Sequence, residues 1–253
     1  MEYVLFRKTE GVSKSWLSQI NLYLKNYLKY CNWNISKEKT LKYLNKIQDK
    51  YSISSYRKKV LQIRLFLRYY DINWLDKLKI IGEPDYTPKK ITPKDIEVTL
   101  NYFNGNKYYN QIKALILLGS SSGLRASELY RLKLEDIDLK NRLIRIKKSK
   151  TGKTRVVFFN KAEKEGLKCY ISDFTSNSRL NYLFGEFHIV KEFKQAPISV
   201  KDLRKAFSQE WDRRNGSFAV KERLLGHSLK RVDFQHYSFL DESDLKQVYD
   251  KVM

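Results

Sequence analysis

The chain has 253 residues and carries 50 Lys and Arg against 28 Asp and Glu, a net charge of +22. Its 42% apolar and 14% aromatic content is ample for a buried core, and 18 Tyr, 13 Phe and 4 Trp argue against disorder despite the charge. It has no apolar run of about eighteen residues that could span a membrane, no charged-then-apolar secretory start in MEYVLFRKTEG, and only two cysteines, Cys31 and Cys169, too few for a disulfide framework or a zinc cluster. The expectation is a folded, cytoplasmic, strongly basic protein with no membrane partner.

Nucleic acid is the commonest partner of such a charge, because each phosphate neutralised releases condensed counterions. Residues 1–80 hold 17 basic and 6 acidic residues, a net +11 on under a third of the chain. Their apolar pattern is helical throughout. Trp16, Ile20, Tyr23, Tyr27 and Leu28 recur at helical spacing behind Ser13 and Ser15, either of which could cap. Leu41, Leu44 and Ile47 follow Ser36 as a shorter helix. Tyr56, Val60, Ile63 and Leu67 make a third, with Arg57, Lys58, Lys59, Arg64 and Arg68 on its other faces. Residues 1–81 are therefore read as a basic helical domain whose third helix suits DNA-backbone contact.

Three of the four prolines, Pro84, Pro88 and Pro93, fall in GEPDYTPKKITP, which predicts a linker over 82–93. Thr92-Pro93-Lys94-Asp95 then reads as a helix start: threonine cap, proline at the first helical position, aspartate facing back. A second helix covers Tyr108 to Leu118, Gly123 interrupts, and another helix begins near Arg125. From Arg142 the pattern alternates through Leu143, Ile144 and Ile146, turns at Thr151-Gly152, and resumes with Val156, Val157, Phe158 and Phe159. This predicts a β-hairpin whose tip holds Lys148, Ser149, Lys150, Lys153 and Arg155. The remainder reads as mostly helical, so the fold expected is mainly α with a small β-hairpin or sheet.

Several charged groups sit where surface solvation explains them poorly. Arg125, in SSGLRASELYRLKLEDIDL, follows a glycine turn at a helix start and suits either a phosphate or Glu128, one turn on. Lys201 and Arg204, in KDLR, are three apart on one helical face. Leu224-Leu225-Gly226-His227 is a helix ending in glycine with a histidine behind it, which suits a cap as well as a catalyst. Tyr237, in FQHYSFL, lies ten residues further; its neighbour His236 reads as surface.

Taken in order, GLRxSEL, DID, a hairpin lysine, K-x-x-R, LGH and a tyrosine ten residues later resemble the tyrosine recombinase (phage integrase) family over roughly residues 90–253. The resemblance implies a helical core-binding domain over 1–81 and an α+β catalytic domain over 94–253. It implies that Arg125 and Arg204 clamp the scissile phosphate, Lys150 protonates the leaving 5′-oxygen, His227 assists by hydrogen bonding or proton transfer, and Tyr237 is the nucleophile that forms a 3′-phosphotyrosyl link. It implies chemistry without metal, ATP or other cofactor, on double-stranded DNA, by a homotetramer on two sites that is monomeric or not without DNA. Lys201 stands where the family usually has histidine; KxxR resembles some archaeal virus integrases, and KDLR resembles poxvirus-type topoisomerases. A lysine can hold a phosphate but is no neutral proton relay at its ordinary pKa, so acid and clamp both stay open.

The leading expectation is a mobile-element integrase. A type IB topoisomerase shares the chemistry, and a non-catalytic DNA-binding protein is the third reading, disfavoured by the intact residue set. Leu245, Val248 and Tyr249, at helical spacing behind the tyrosine, suit docking either on a neighbouring protomer or on the chain's own core.

Overall fold

Serine side chains open three of the four N-terminal helices. Ser13, Ser36 and Ser52 accept from the backbone N–H of Trp16, Lys39 and Ser55, satisfying donors that the first helical turn leaves without partners. They precede α2 (Lys14–Tyr30), α3 (Lys37–Lys50) and α4 (Ile53–Tyr69), and α1 (Glu2–Thr9) comes before them. The structure, a computed structural model, describes residues 2–80, 82, 87–147, 154–177, 181–227 and 240–253. Lys150, the Thr151-Gly152 turn, Pro84, His236 and Tyr237 lie outside the described residues. The chain divides into two units, Met1–Pro88 and Lys89–Met253.

In the first unit Ile20, Leu24, Tyr27, Leu44, Val60 and Ile63 meet in a common core. The first predicted position of α3 is not in its core: Thr40, Tyr43, Leu44 and Ile47 form its buried stripe, and Leu41 is 36% exposed. Thr40 can be buried because its hydroxyl meets that of Tyr27 at 2.7 Å. Part of the positive charge is held against aromatic faces. Lys59 Nζ lies 4.0 Å and 4.2 Å from the ring centres of Tyr23 and Tyr51, and this burial lowers its pKa.

The second unit begins with the predicted capping box, Thr92 and Asp95 exchanging hydrogen bonds ahead of α5 (Pro93–Tyr102). There follow α6 (Tyr109–Ser122), α7 (Ala126–Tyr130), strands β1 (Ile137–Asp138), β2 (Leu143–Ile146) and β3 (Arg155–Phe158), then α8 (Lys161–Asn177), α9 (Glu186–Glu192), α10 (Val200–Arg213), α11 (Phe218–Leu225) and α12 (Glu242–Val252). The strands form one antiparallel sheet in the order β1-β2-β3, with Ile144 opposite Val157 and Ile146 opposite Arg155. The fold is thus mainly helical with a small sheet. Among the described residues no helix is long and apolar enough to cross a membrane.

Arg155 departs from its expected place. It is the first residue of β3, not a tip residue, and its side chain is only 7% exposed. Helix α6 ends at Gly123, whose φ of +66° suits glycine; a Cβ there would also lie 2.5 Å from Phe207. Helix α12 packs on its own unit, burying Leu245 and Tyr249 in a core with Phe158, Phe207 and Trp211. The Arg142 guanidinium meets both Asp250 carboxylate oxygens at 2.7 Å, and the Tyr249 hydroxyl lies 3.0 Å from the Ser121 carbonyl. Of the two expectations for the tail, this structure realises docking on the chain's own core.

Near Tyr249, burial pushes the Glu163 carboxyl up from 4.5 to about 7, against hydrogen bonds from Ser121 and the Asn160 backbone that pull it down. An unfolded chain releases this proton near 4.5 and the folded chain keeps it to about 7. The folded state therefore binds more protons across that window, and stability falls as pH rises through it, then levels. The contribution lost is roughly 3 kcal/mol. Glu163→Gln should remove this slope between pH 5 and 7.5; thermal melts of both chains that decline in parallel would show that Glu163 is not its source.

Candidate active site

Three predicted site residues, separated by up to about a hundred positions, converge on the C-terminal end of α11. That end leaves carbonyls without intrahelical partners and carries the negative pole of the helix. The chain leaves it through a Schellman turn: the Gly226 N–H donates to the Arg223 carbonyl and the His227 N–H to that of Glu222, with Gly226 at φ +67°. Three consecutive carbonyls of this end each accept from a different arginine. Arg155 Nε donates to Leu224 O at 2.8 Å, Arg204 Nη2 to Leu225 O at 2.7 Å, and Arg125 Nη2 to Gly226 O at 3.4 Å.

Each arginine has a further anchor. Arg204, one turn into α10, donates through Nη1 to Gly123 O at 2.9 Å. Arg125 stands immediately before α7, its backbone N–H donating to Glu128 Oε2 at 2.8 Å and its Nη1 to Oε1 at 3.0 Å. Arg155 reaches the same carboxylate as a fork, Nη1 to Oε1 at 2.9 Å and Nη2 to Oε2 at 2.7 Å. Glu128 is buried, and burial alone would raise its carboxyl; Arg155 first and then Arg125 hold it below the ordinary value. Burial, and then the neighbouring Arg125 and Arg155, lower Arg204 to about 10, which still leaves it charged at neutral pH.

His227 completes the cluster, with Nδ1 2.9 Å from Glu222 Oε2 and Nε2 2.9 Å from Arg204 Nη2. A carboxylate only accepts and a guanidinium only donates. These contacts suit an imidazole with its proton on Nδ1 and its Nε2 lone pair turned to Arg204. Three guanidiniums then face two carboxylates, Glu128 and Glu222, which leaves one positive charge uncompensated. A cavity of about 850 Å³ opens beside His227 and Gly226, with Arg145, Lys147 and Arg223 but also Asp241 and Glu242 in its lining.

Lys201 forms no bond to this cluster. It occupies the second position of α10, is exposed, and makes no hydrogen bond or ion pair among the described residues. The structure thus brings together Arg125, Arg204 and His227 and leaves Lys201 on the surface, while Lys150 and Tyr237 fall outside the described residues. Sequence reasoning missed Arg155 and Glu222. Arg155 gave no signal beyond its place five residues after Lys150, and nothing marked Glu222 as the partner of His227. Among the described residues no group of three or more His, Cys, Asp or Glu side chains is placed to hold a metal ion.

The sequence model of the phage integrase family matches residues 89–237. The chain belongs to that family, and it is an enzyme of the site-specific tyrosine recombinase type. It is 28% identical to the tyrosine recombinase XerA of Thermococcus onnurineus, over 99% of this chain and 89% of that protein. It is 25% identical to XerA of Pyrococcus furiosus, over 99% of this chain and 92% of that protein. In fold it is similar to the Tn1549 transposon integrase, solved with transposon right end DNA: the TM-score is 0.66 at 14% identity, over 98% of this chain and 96% of that one. The type IB topoisomerase alternative finds no support in these comparisons.

Proposed function

We propose that the chain cuts and rejoins double-stranded DNA at specific sites, as the integrase of a mobile element. The observation that carries this reading is the convergence of Arg125, Arg204 and His227 on one helix end with a positive charge to spare. In the proposed step the Tyr237 hydroxyl oxygen attacks phosphorus and loses its proton, the bond to the 5′-oxygen breaks, and that oxygen takes a proton from Lys150. The product is a 3′-phosphotyrosyl link and a free 5′-hydroxyl, which reverses the step when a second strand's 5′-hydroxyl attacks. Arg125 and Arg204 hold the non-bridging oxygens as charge develops, and His227, whose Nε2 accepts from Arg204, assists by hydrogen bonding or proton transfer.

On this reading residues 1–81 form the core-binding domain, 82–93 the linker and 94–253 the catalytic domain. The dense charge of the first segment supplies sequence-independent backbone contact. Four protomers act on two sites, in the cytoplasm of a host cell. The test is to incubate the chain with a random-sequence duplex pool, recover covalent protein–DNA adducts under denaturing conditions, and sequence the joined ends. Adducts carried on a 3′-phosphate and sharing one sequence are expected. Adducts without a shared sequence would indicate DNA relaxation in place of recombination, and no adduct at all would leave a DNA-binding protein.

The exposed ammonium of Lys201, without a hydrogen-bond or ion-pair partner among the described residues, suits a phosphate clamp, and Lys150 already supplies an acid. Lys201→Arg should keep much of the single-turnover cleavage rate, whereas Lys201→Ala should lose roughly 10²-fold, the scale of one preorganised donor. A guanidinium does not give up its proton near neutral pH. An arginine variant as slow as the alanine variant would therefore assign Lys201 to proton donation.

A further inference from the structure

We propose that Arg155 is a positioning residue for the cleavage step, fixing the phosphate-facing Arg125 and the His227 turn against the base of the hairpin that carries Lys150. The inference rests on the recombinase reading and adds to it a residue that the motifs do not mark. Arg155 is spent on structure: its fork is taken by Glu128 and its Nε by the Leu224 carbonyl, and its side chain is almost wholly covered. It is therefore poorly placed to touch DNA itself. Its partners are the same groups that place the reactive ones. Glu128 holds both the backbone and the side chain of Arg125, and Leu224 lies three residues before His227.

The contact with the turn is close. A Cβ on Gly226 would lie 2.8 Å from Arg155 Cδ and 3.0 Å from its Nε, so the arginine stem rests directly on the glycine backbone. At its other end Arg155 pairs across the sheet with Ile146, and Lys150 lies in the segment joining these two residues. One side chain thus ties three parts of the site: the strand that leads from the lysine, the carboxylate that aims one arginine, and the turn that presents the histidine. Moving reacting groups by about 1 Å costs on the order of 10²-fold in rate, and the loss of Arg155 releases all three at once.

The test uses the full chain on a nicked duplex bearing the sequence recovered from its adducts. Cleavage is followed in a single turnover at saturating DNA, so that rate constant and amplitude are read separately, and the DNA Kd is titrated in parallel. Arg155→Lys should lower the rate constant by about 10²-fold, because an ammonium cannot form the fork and the Leu224 bond together. Its Kd should stay within about threefold of the parent's, since Arg155 offers DNA almost no surface. A residue needed only for stability would instead reduce the amplitude and leave the rate constant of the folded fraction unchanged, and that result overturns the proposal. Should Arg155→Lys fail to fold, Arg155→Gln still offers Glu128 an amide donor and leaves the Arg125–Glu128 pair in place. It too should cleave slowly, and a parental rate constant in this variant overturns the proposal. A parent chain that forms no adduct overturns the recombinase reading and this inference with it. A parent that cleaves, beside variants that cleave equally fast, overturns this inference alone.

Discussion

A Tyr237→Phe chain is expected to bind duplex DNA with nearly the parent's affinity and to form no covalent adduct with it. Affinity for DNA comes mainly from neutralised phosphates, and this substitution changes no charge among the 50 Lys and Arg residues. The single oxygen removed is the one proposed to bond to phosphorus. Deleting the nucleophile of an enzyme that works through a covalent intermediate costs on the order of 10⁴–10⁶-fold, which on a nicked substrate amounts to no detectable adduct. Adduct yield after denaturation and Kd by titration are the two readouts. An adduct that persists in Tyr237→Phe would move the nucleophile to another of the 18 tyrosines. A lost Kd would instead show that the hydroxyl serves binding.

The second large effect is expected at Arg204. Its guanidinium spans the Gly123 and Leu225 carbonyls and meets His227 Nε2, so it joins the ends of α6 and α11 besides its proposed hold on the phosphate. Arg204→Ala should slow cleavage by roughly 10³-fold, the upper scale for removing one preorganised donor. It should also lower folding stability by about 2–3 kcal/mol, because two carbonyls lose their donor in a part-buried setting. Arg204→Lys separates charge from shape. It keeps the positive charge, but a single ammonium cannot reproduce a planar fork that serves both carbonyls and the imidazole. The lysine chain should therefore cleave at least about 10²-fold more slowly than the parent. A lysine variant that cleaves at nearly the parent's rate would show that charge alone is required at this position. Thermal melts of the two variants separate the structural loss from the catalytic one.

The Arg204 effect follows from a helix end used as an assembly point. The exposed carbonyls of α11 attract cations whatever the reaction, and here they gather three arginines from three separate elements. The glutamate that aims two of them, Glu128, is buried with its carboxylate held ionised by the same two arginines. The three arginines are thus each held by two or more protein groups, with the cluster's charge unbalanced by one.

Much of this protein was legible in its amino-acid order. Apolar residues at helical spacing behind Ser13, Ser36 and Thr92 marked helices that form as expected, because capping and periodicity depend on neighbours three or four positions away. Alternation on either side of the hairpin placed β2 and β3 for the same local reason. The short strings around Arg125, Arg204 and His227 carried the resemblance to the family, since each holds its marked residue within a few positions of its own turn or cap. Tertiary structure alone decided how those strings meet. Nothing near Arg155 in the chain reveals that its side chain turns inward to Glu128, 27 positions away, or that Lys201 stays outside while Arg204 goes in. The tail helix α12 had an apolar face that suited either its own core or a neighbour, and burial of Tyr249 beside Ser121 selected the former. Periodicity records which face of an element is apolar, whereas a buried ion pair or a shared carbonyl depends on distances between residues far apart in the chain, which only packing sets.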